Sequence, residues 1–190
     1  SIMSSLNFLH SGGNKVSLTA PASNPSSNRT LTIDGSGDGN IVASNYGNSV
    51  VAYLGADATI PNNTATLLNC NTEVFDIGGA YDTSNGRFTP NVAGIYWIKA
   101  HVLWSTTNQS TNNAYYQVFV RKNGSGEFRD IIHIDKQDWH SNACSGIIQL
   151  NGSSDYVDLE VFHNRGGDEY LEGASRHKTS FEAYWVRALT

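Results

Sequence analysis

Three pairs of side chains in this sequence are of the types that move protons. His133 and Asp135 stand two residues apart, so on a strand they share one face, where the carboxylate could orient the imidazole as a general base. Asp155 with Asp158, and Asp168 with Glu169, are carboxylate pairs between which acid and base roles could be divided. No nucleophile elbow, HExxH run or other recognisable frame accompanies them, and strand surfaces carry such pairs commonly. Catalysis is therefore not expected, and no catalytic residue is assigned.

Residues 164–169, NRGGDE, set hard oxygen donors beside glycines, which is the donor chemistry of Ca2+. The run lacks the full spacing of a known calcium loop and reads first as a solvated polar turn. Ca2+ is thus a minority reading, and no metal or cofactor ligand is assigned. Cys70 and Cys144 have neither a zinc-ligand nor a redox spacing. Two buried free thiols are the favoured reading, with pairing across strands as the alternative. Trp97, Trp104, Trp139, Trp185 and the Tyr115–Tyr116 doublet are of a type that stacks on sugar rings, but aromatics also fill sandwich cores and subunit interfaces. Trp104 and Trp185 read as core or interface. Trp139, among the polar residues of KQDWHSN, is the candidate ligand contact.

Hydrophobic residues make up 39% of the chain and charged residues 15%, against about a quarter charged in ordinary globular chains. The surface must be neutral and polar. A net charge of -5 and a pI near 5.6 argue against a surface that tracks phosphates, so no nucleic-acid partner is expected. No stretch approaches the apolar run of about 20 residues that a membrane helix needs, so no membrane insertion is expected. The opening SIMSSLNFLH lacks a basic n-region and a long apolar h-region and does not read as a secretory signal.

The elements that must position these residues divide near residue 49. Residues 1–48 carry as charges Lys15, Arg29, Asp34 and Asp38, which sum to zero, and are dominated by Ser, Asn, Gly and Pro. Their apolar islands are too short for a private core. VSLTA and TLTID alternate at the strand period and could pair with copies of themselves, so residues 1–48 read as an extended attachment arm. From 49 to 190 strand-like runs follow one another between Gly, Asn and Asp punctuation, which predicts an all-β two-sheet sandwich or barrel. In GIYWIKAHVLW, Tyr96, Ile98, Ala100, Val102 and Trp104 form the core face, and Ile95, Trp97, Lys99, His101 and Leu103 a mixed one. In DYVDLEVFHN an acidic outward face, Asp158 and Glu160, alternates with an inward Val157, Leu159, Val161 and His163. The closing run TSFEAYWVRAL is apolar on both faces, as expected of a strand buried against a second surface, such as another chain.

The run VFDIGGAYDTSNGRFTPNVAGIYWIKAHV, with Phe75, Asp76, Tyr81, Asp82, Gly86, Phe88, Pro90, Gly94 and Tyr96, resembles the opening of a C1q-like globular head of the C1q and TNF jelly-roll superfamily. RKNG, SSDYVDLEV and SFEAYWV are similar to its later strands. The resemblance spans roughly residues 50–190 and implies a C1q/TNF-like jelly-roll β-sandwich. Phe75, Tyr81, Gly86, Phe88, Gly94 and Tyr96 are its expected core motif. It also implies a homotrimer, for which Phe181, Tyr184 and Trp185 are the interface candidates. Residues 12–35 resemble the repeats of phage tail-fibre and other virion appendage proteins. Together these imply a non-enzymatic virion protein, either a head fibre or capsid decoration or a tail-fibre tip. It would be displayed on the particle surface and anchored to other virion proteins through residues 1–48. A host-glycan-binding adhesin and a cellular C1q-family ligand are the alternatives.

Overall fold

The computed structural model of the chain describes residues 5–9, 12, 15–19, 47–105, 114–134 and 138–188. Two compact units divide it, Ser1–Ala43 and Ser44–Thr190. In the first, β1 (Ser5–Leu9) and β2 (Lys15–Thr19) form an antiparallel pair with Leu6 opposite Leu18 and Phe8 opposite Val16. The VSLT island is thus paired within its own chain; TLTID lies outside the described residues.

The second unit runs through β3 (Ser49–Tyr53), β4 (Ala58–Ile60), β5 (Thr66–Leu68), β6 (Thr72–Ile77), β7 (Tyr81–Asp82) and β8 (Arg87–Phe88). It continues through β9 (Gly94–Ser105), β10 (Tyr115–Lys122), β11 (Ser125–His133), β12 (Trp139–Leu150), β13 (Val157–His163), β14 (Glu169–Leu171) and β15 (Ser180–Arg187). Among the described residues every regular element is a strand, and all pairings are antiparallel. One sheet has seven strands, in the order β4-β14-β9-β15-β3-β6 with β12 along the other edge of β9. The other has six, β11-β10-β13-β8-β7 with β5 beside β13. The core lies between them. β9 shows why the sequence folds this way: burial alternates without a break over its twelve residues, and Tyr96, Ile98, Ala100, Val102 and Trp104 all point inward.

The turn before β9 is built on glycine. Gly86 has φ +73° and donates its N–H to the Asp82 carbonyl at 2.8 Å, and a Cβ there would stand 2.9 Å from the Leu68 carbonyl oxygen. It turns the chain so that Phe88 meets Tyr96 edge-on, with centroids 5.6 Å apart. Gly94 has a different reason. A Cβ on it would lie 2.4 Å from Trp185 Nε1 and 2.6 Å from the Arg187 carbonyl, so it admits the close approach of β15 rather than a bend. Trp185 also lies against Gly47, where a Cβ would come within 2.1 Å of its ring. Asn48, nearly fully buried, accepts the Asn91 N–H at 2.9 Å. Gly47 and Asn48 thus belong to the head.

Two placements differ from the sequence reading. Phe75 is half-buried outside the core, edge-on to Tyr184 at 6.3 Å, because β6 is the last strand of its sheet and pairs only with β3. Asp158, expected on a solvated face, is 2% exposed. Arg121 forks onto both its oxygens, Nε to Oδ1 at 2.8 Å and Nη2 to Oδ2 at 3.1 Å, and Arg87 adds a contact at 3.6 Å. Two guanidiniums satisfy the carboxylate that burial would otherwise strand.

Phe88 is fully buried between Tyr96 and Phe181. Phe88→Ala is expected to cost the head about 3–5 kcal/mol, against a typical domain stability of about 5–15. Gly94→Val is expected to prevent folding by driving Trp185 off its site. Thermal unfolding by circular dichroism checks both; an unchanged melting temperature for Phe88→Ala would mean that the two sheets do not close on this ring.

Candidate functional site

Of the acid–base groups singled out in the sequence, Asp155, Asp158, Asp168 and Glu169 each make contacts that hold the fold together. His133 is exposed beside the Tyr115 ring, 5.9 Å centroid to centroid, and Asp135 lies outside the described residues. Asp155 accepts from Asn123 Nδ2 at 2.8 Å and the Asn151 N–H at 3.0 Å, and pairs with Lys122 at 3.1 Å. Asp158 is held by Arg121, so the two aspartates serve separate ion pairs. In the 164–169 loop, Asn164 Oδ1 accepts the Tyr115 N–H at 2.8 Å, Asp168 Oδ1 accepts the Asn62 N–H at 3.4 Å, and Glu169 pairs with Arg165 at 3.5 Å. Asn164, Asp168 and Glu169 thus each turn one side-chain oxygen toward a protein nitrogen. Among the described residues no cluster of three or more His, Cys, Asp and Glu side chains is placed to hold a metal.

Cys70 and Cys144 are buried free thiols, as favoured from sequence. Burial pushes the Cys70 thiol up to about 12 and Cys144 up to about 11, which disfavours the thiolate form of both. His163 is buried too, stacked on Tyr116 at 5.7 Å and edge-on to Trp104 at 5.7 Å. Its Nε2 stands 2.9 Å from the Ile60 carbonyl, which can only accept, while Nδ1 lies 3.4 Å from the Arg165 N–H, which can only donate. The ring is therefore the neutral Nε2–H tautomer, tying β13 to β4 and to the loop after it.

What the sheet does assemble is an apolar row on the outward face of its seven strands. Register places Ile147 of β12 opposite Trp97 of β9, Trp97 opposite Tyr184 of β15, Tyr184 opposite Ser49 of β3, and Ser49 opposite Ile77 of β6. Directly paired residues point to the same face. The Tyr184 ring contacts Trp97 at 6.2 Å and Phe75 at 6.3 Å, which makes a continuous aromatic strip. Ile147 is 67% exposed, Ile77 59%, and Tyr184 40%. Beside this row runs a polar one, where Lys99 Nζ meets Glu182 Oε1 at 3.4 Å. Apolar side chains gathered in one row, rather than scattered singly, mark a face built to be covered.

Of the three interface candidates read from the sequence, Tyr184 alone lies on this face. Phe181 is 1% exposed, stacked on Tyr81 at 5.5 Å, and Trp185 packs down onto Gly47 and Gly94. Both point to the core side because they alternate with Tyr184 along β15. Ile147 and Ile77 were not singled out in the sequence. Each lies in an apolar strand run, but only strand pairing brings them into one row. Trp139 is 58% exposed, as its polar surroundings suggested.

An antiparallel two-sheet sandwich of this order is a C1q/TNF-like jelly roll. A family model for the C1q domain matches residues 52–185, and the chain belongs to that family. Domains of this type are typically trimeric and non-enzymatic. No curated protein matches the chain. Among solved structures, the chain is similar to the Eiger TNF of S. frugiperda, with TM-score 0.55 and 5% identity over 77% of this chain and 96% of that one. It is likewise similar to the globular domain of zebrafish complement 1qA, with TM-score 0.53 and 13% identity over 76% of this chain and 100% of that one. The PRD1 vertex protein P5 gives TM-score 0.52 and 14% identity over 76% of this chain and 100% of that one. At such identities the likeness is one of fold.

Burial holds the His163 imidazole below its ordinary value, with the Arg165 charge adding to the effect and the Ile60 hydrogen bond and Asp168 opposing it. As pH falls below about 6.5 the unfolded chain takes up this proton and the folded one does not, so stability is fully present above that pH and declines below it. Urea unfolding midpoints are expected to fall between pH 7.5 and 5.5, and to fall less in His163→Gln. An equal fall in the variant would remove His163 from the account.

Proposed function

We propose that this chain is a homotrimeric, non-enzymatic structural protein of a virion, whose head is displayed outward and whose N-terminal region attaches it to the particle. The observation that carries the trimer is the row Ile147–Trp97–Tyr184 with Ile77, exposed on one sheet face of a single head. Cyclic three-fold closure covers such a face in every copy with an equivalent surface and leaves no open end for further growth. The family supports the same stoichiometry. Tyr184 is the interface candidate retained; Ile147, Trp97 and Ile77 replace Phe181 and Trp185.

Two features support the virion setting. The fold is shared with a vertex protein of PRD1, and the Ser-, Asn- and Gly-rich sequence of residues 12–35 resembles virion-appendage repeats. Placement on the particle surface, as a head decoration or as a fibre tip, follows from the same reading. The attaching region is residues 1–43, since Gly47 and Asn48 pack within the head.

Deletion of residues 1–43 tests attachment and assembly together. The truncated protein is expected to sediment as a folded trimer at micromolar concentration and to fail to enter particles made without the native protein. Normal incorporation would refute the anchoring role, and a stable monomer with or without residues 1–43 would refute the trimer.

A further inference from the structure

The outward face of the seven-stranded sheet has a second end, some eight residues along β9 from Trp97, or roughly 26 Å at the strand rise. There Ser105 pairs with Trp139 of β12 on one side and with Tyr170 of β14 on the other. All three side chains share one face, because Trp104, which precedes Ser105, points into the core. Trp139 is 58% exposed and Tyr170 40%. Two exposed aromatic residues thus flank a hydroxyl-bearing one, on strands two spacings apart.

We infer that Trp139, Ser105 and Tyr170 form a binding cleft for one pyranose ring of a neutral oligosaccharide. Two strand spacings separate the aromatic residues by roughly 10 Å, which accommodates a ring making a stacking contact of about 4 Å on either side. A pyranose has apolar C–H faces suited to aromatic rings and a rim of hydroxyls that needs polar partners. The rim is supplied. Lys178 Nζ lies 6.0 Å from the centre of the Trp139 ring and donates to Glu172 Oε2 at 3.0 Å, so an ammonium and a carboxylate stand together beside the cleft. Ser105 adds a hydroxyl. A neutral sugar fits better than an acidic one, since the chain carries a net charge of -5 and this ammonium is already paired.

The cleft is distinct from the apolar row proposed to join the subunits, which has its exposed aliphatic side chains at the other end of β9. The two ideas therefore fail separately. Full-length protein is titrated with chitohexaose, cellohexaose and maltohexaose while tryptophan emission is recorded, and the native protein, Trp139→Ala and Tyr170→Ala are each followed by calorimetry and sedimentation. Saturable binding of at least one oligosaccharide is expected. Each variant should bind about tenfold or more weakly, as when a central aromatic anchor is removed, with the native sedimentation coefficient unchanged. Absence of saturable binding by all three sugars would overturn the cleft, as would binding that is unaltered in both variants. Dissociation of the assembly by either substitution would also overturn it, by assigning Trp139, Ser105 and Tyr170 to contact with a neighbouring copy of the chain.

Discussion

A strand hydrogen-bonded along both edges has only its faces left to offer, and β9 is such a strand. β12 lines its full length on one side, and β15 and then β14 line the other. Its inward face builds the core on Tyr96, Ile98 and Trp104. Its outward face presents Trp97 near one end and Ser105 at the other. Each functional feature of the head, from the apolar row to the sugar cleft, is a cross-strand row anchored on β9, so its pairing register fixes which side chains can act together.

The glycines beside β9 serve the same register. Trp185 can lie flat between β9 and the start of the head only because Gly94 and Gly47 have no Cβ. With Trp185 turned in, Tyr184 must turn out, and the aromatic strip from Phe75 to Trp97 follows. The opposite sheet is fastened differently. Arg121 holds Asp158 and Glu160 of the neighbouring strand, and its own pKa is raised by the Asp158 hydrogen bonds. A buried charge cluster of that kind fixes which strands meet even where its net contribution to stability is small.

The longest strand was legible in the sequence because alternation over twelve residues leaves little ambiguity, as in β9. The short ones were not: β4, β7 and β14 have three, two and three residues, too few for a period to register. The core position of Tyr96 followed from alternation, and those of Gly86 and Phe88 from the resemblance to the C1q-like head. Faces were harder. Asp158 reads as solvated until the fold brings Arg121 and Arg87 to it, and Phe181 reads as interface until Tyr81 and Phe88 close over it. Non-local partners decide such cases, and alternation within one strand carries no information about them. The apolar row was invisible for the same reason, its members lying on strands far apart in the chain.

The central claim is that the end of the outward sheet face carrying Ile147, Trp97 and Tyr184 is covered in the working protein. Maleimide labelling of Ile147→Cys tests it directly, because Cys70 and Cys144 are buried with raised pKa values and do not compete. Ile147 is 67% exposed on a single head. The account predicts that the thiol at 147 reacts far more slowly than one placed at the exposed Ser125 turn, and reaches the same rate only when the assembly is dissociated. Equal rates in the intact protein at micromolar concentration would show that the face is open to solvent, and would contradict the trimer built on it.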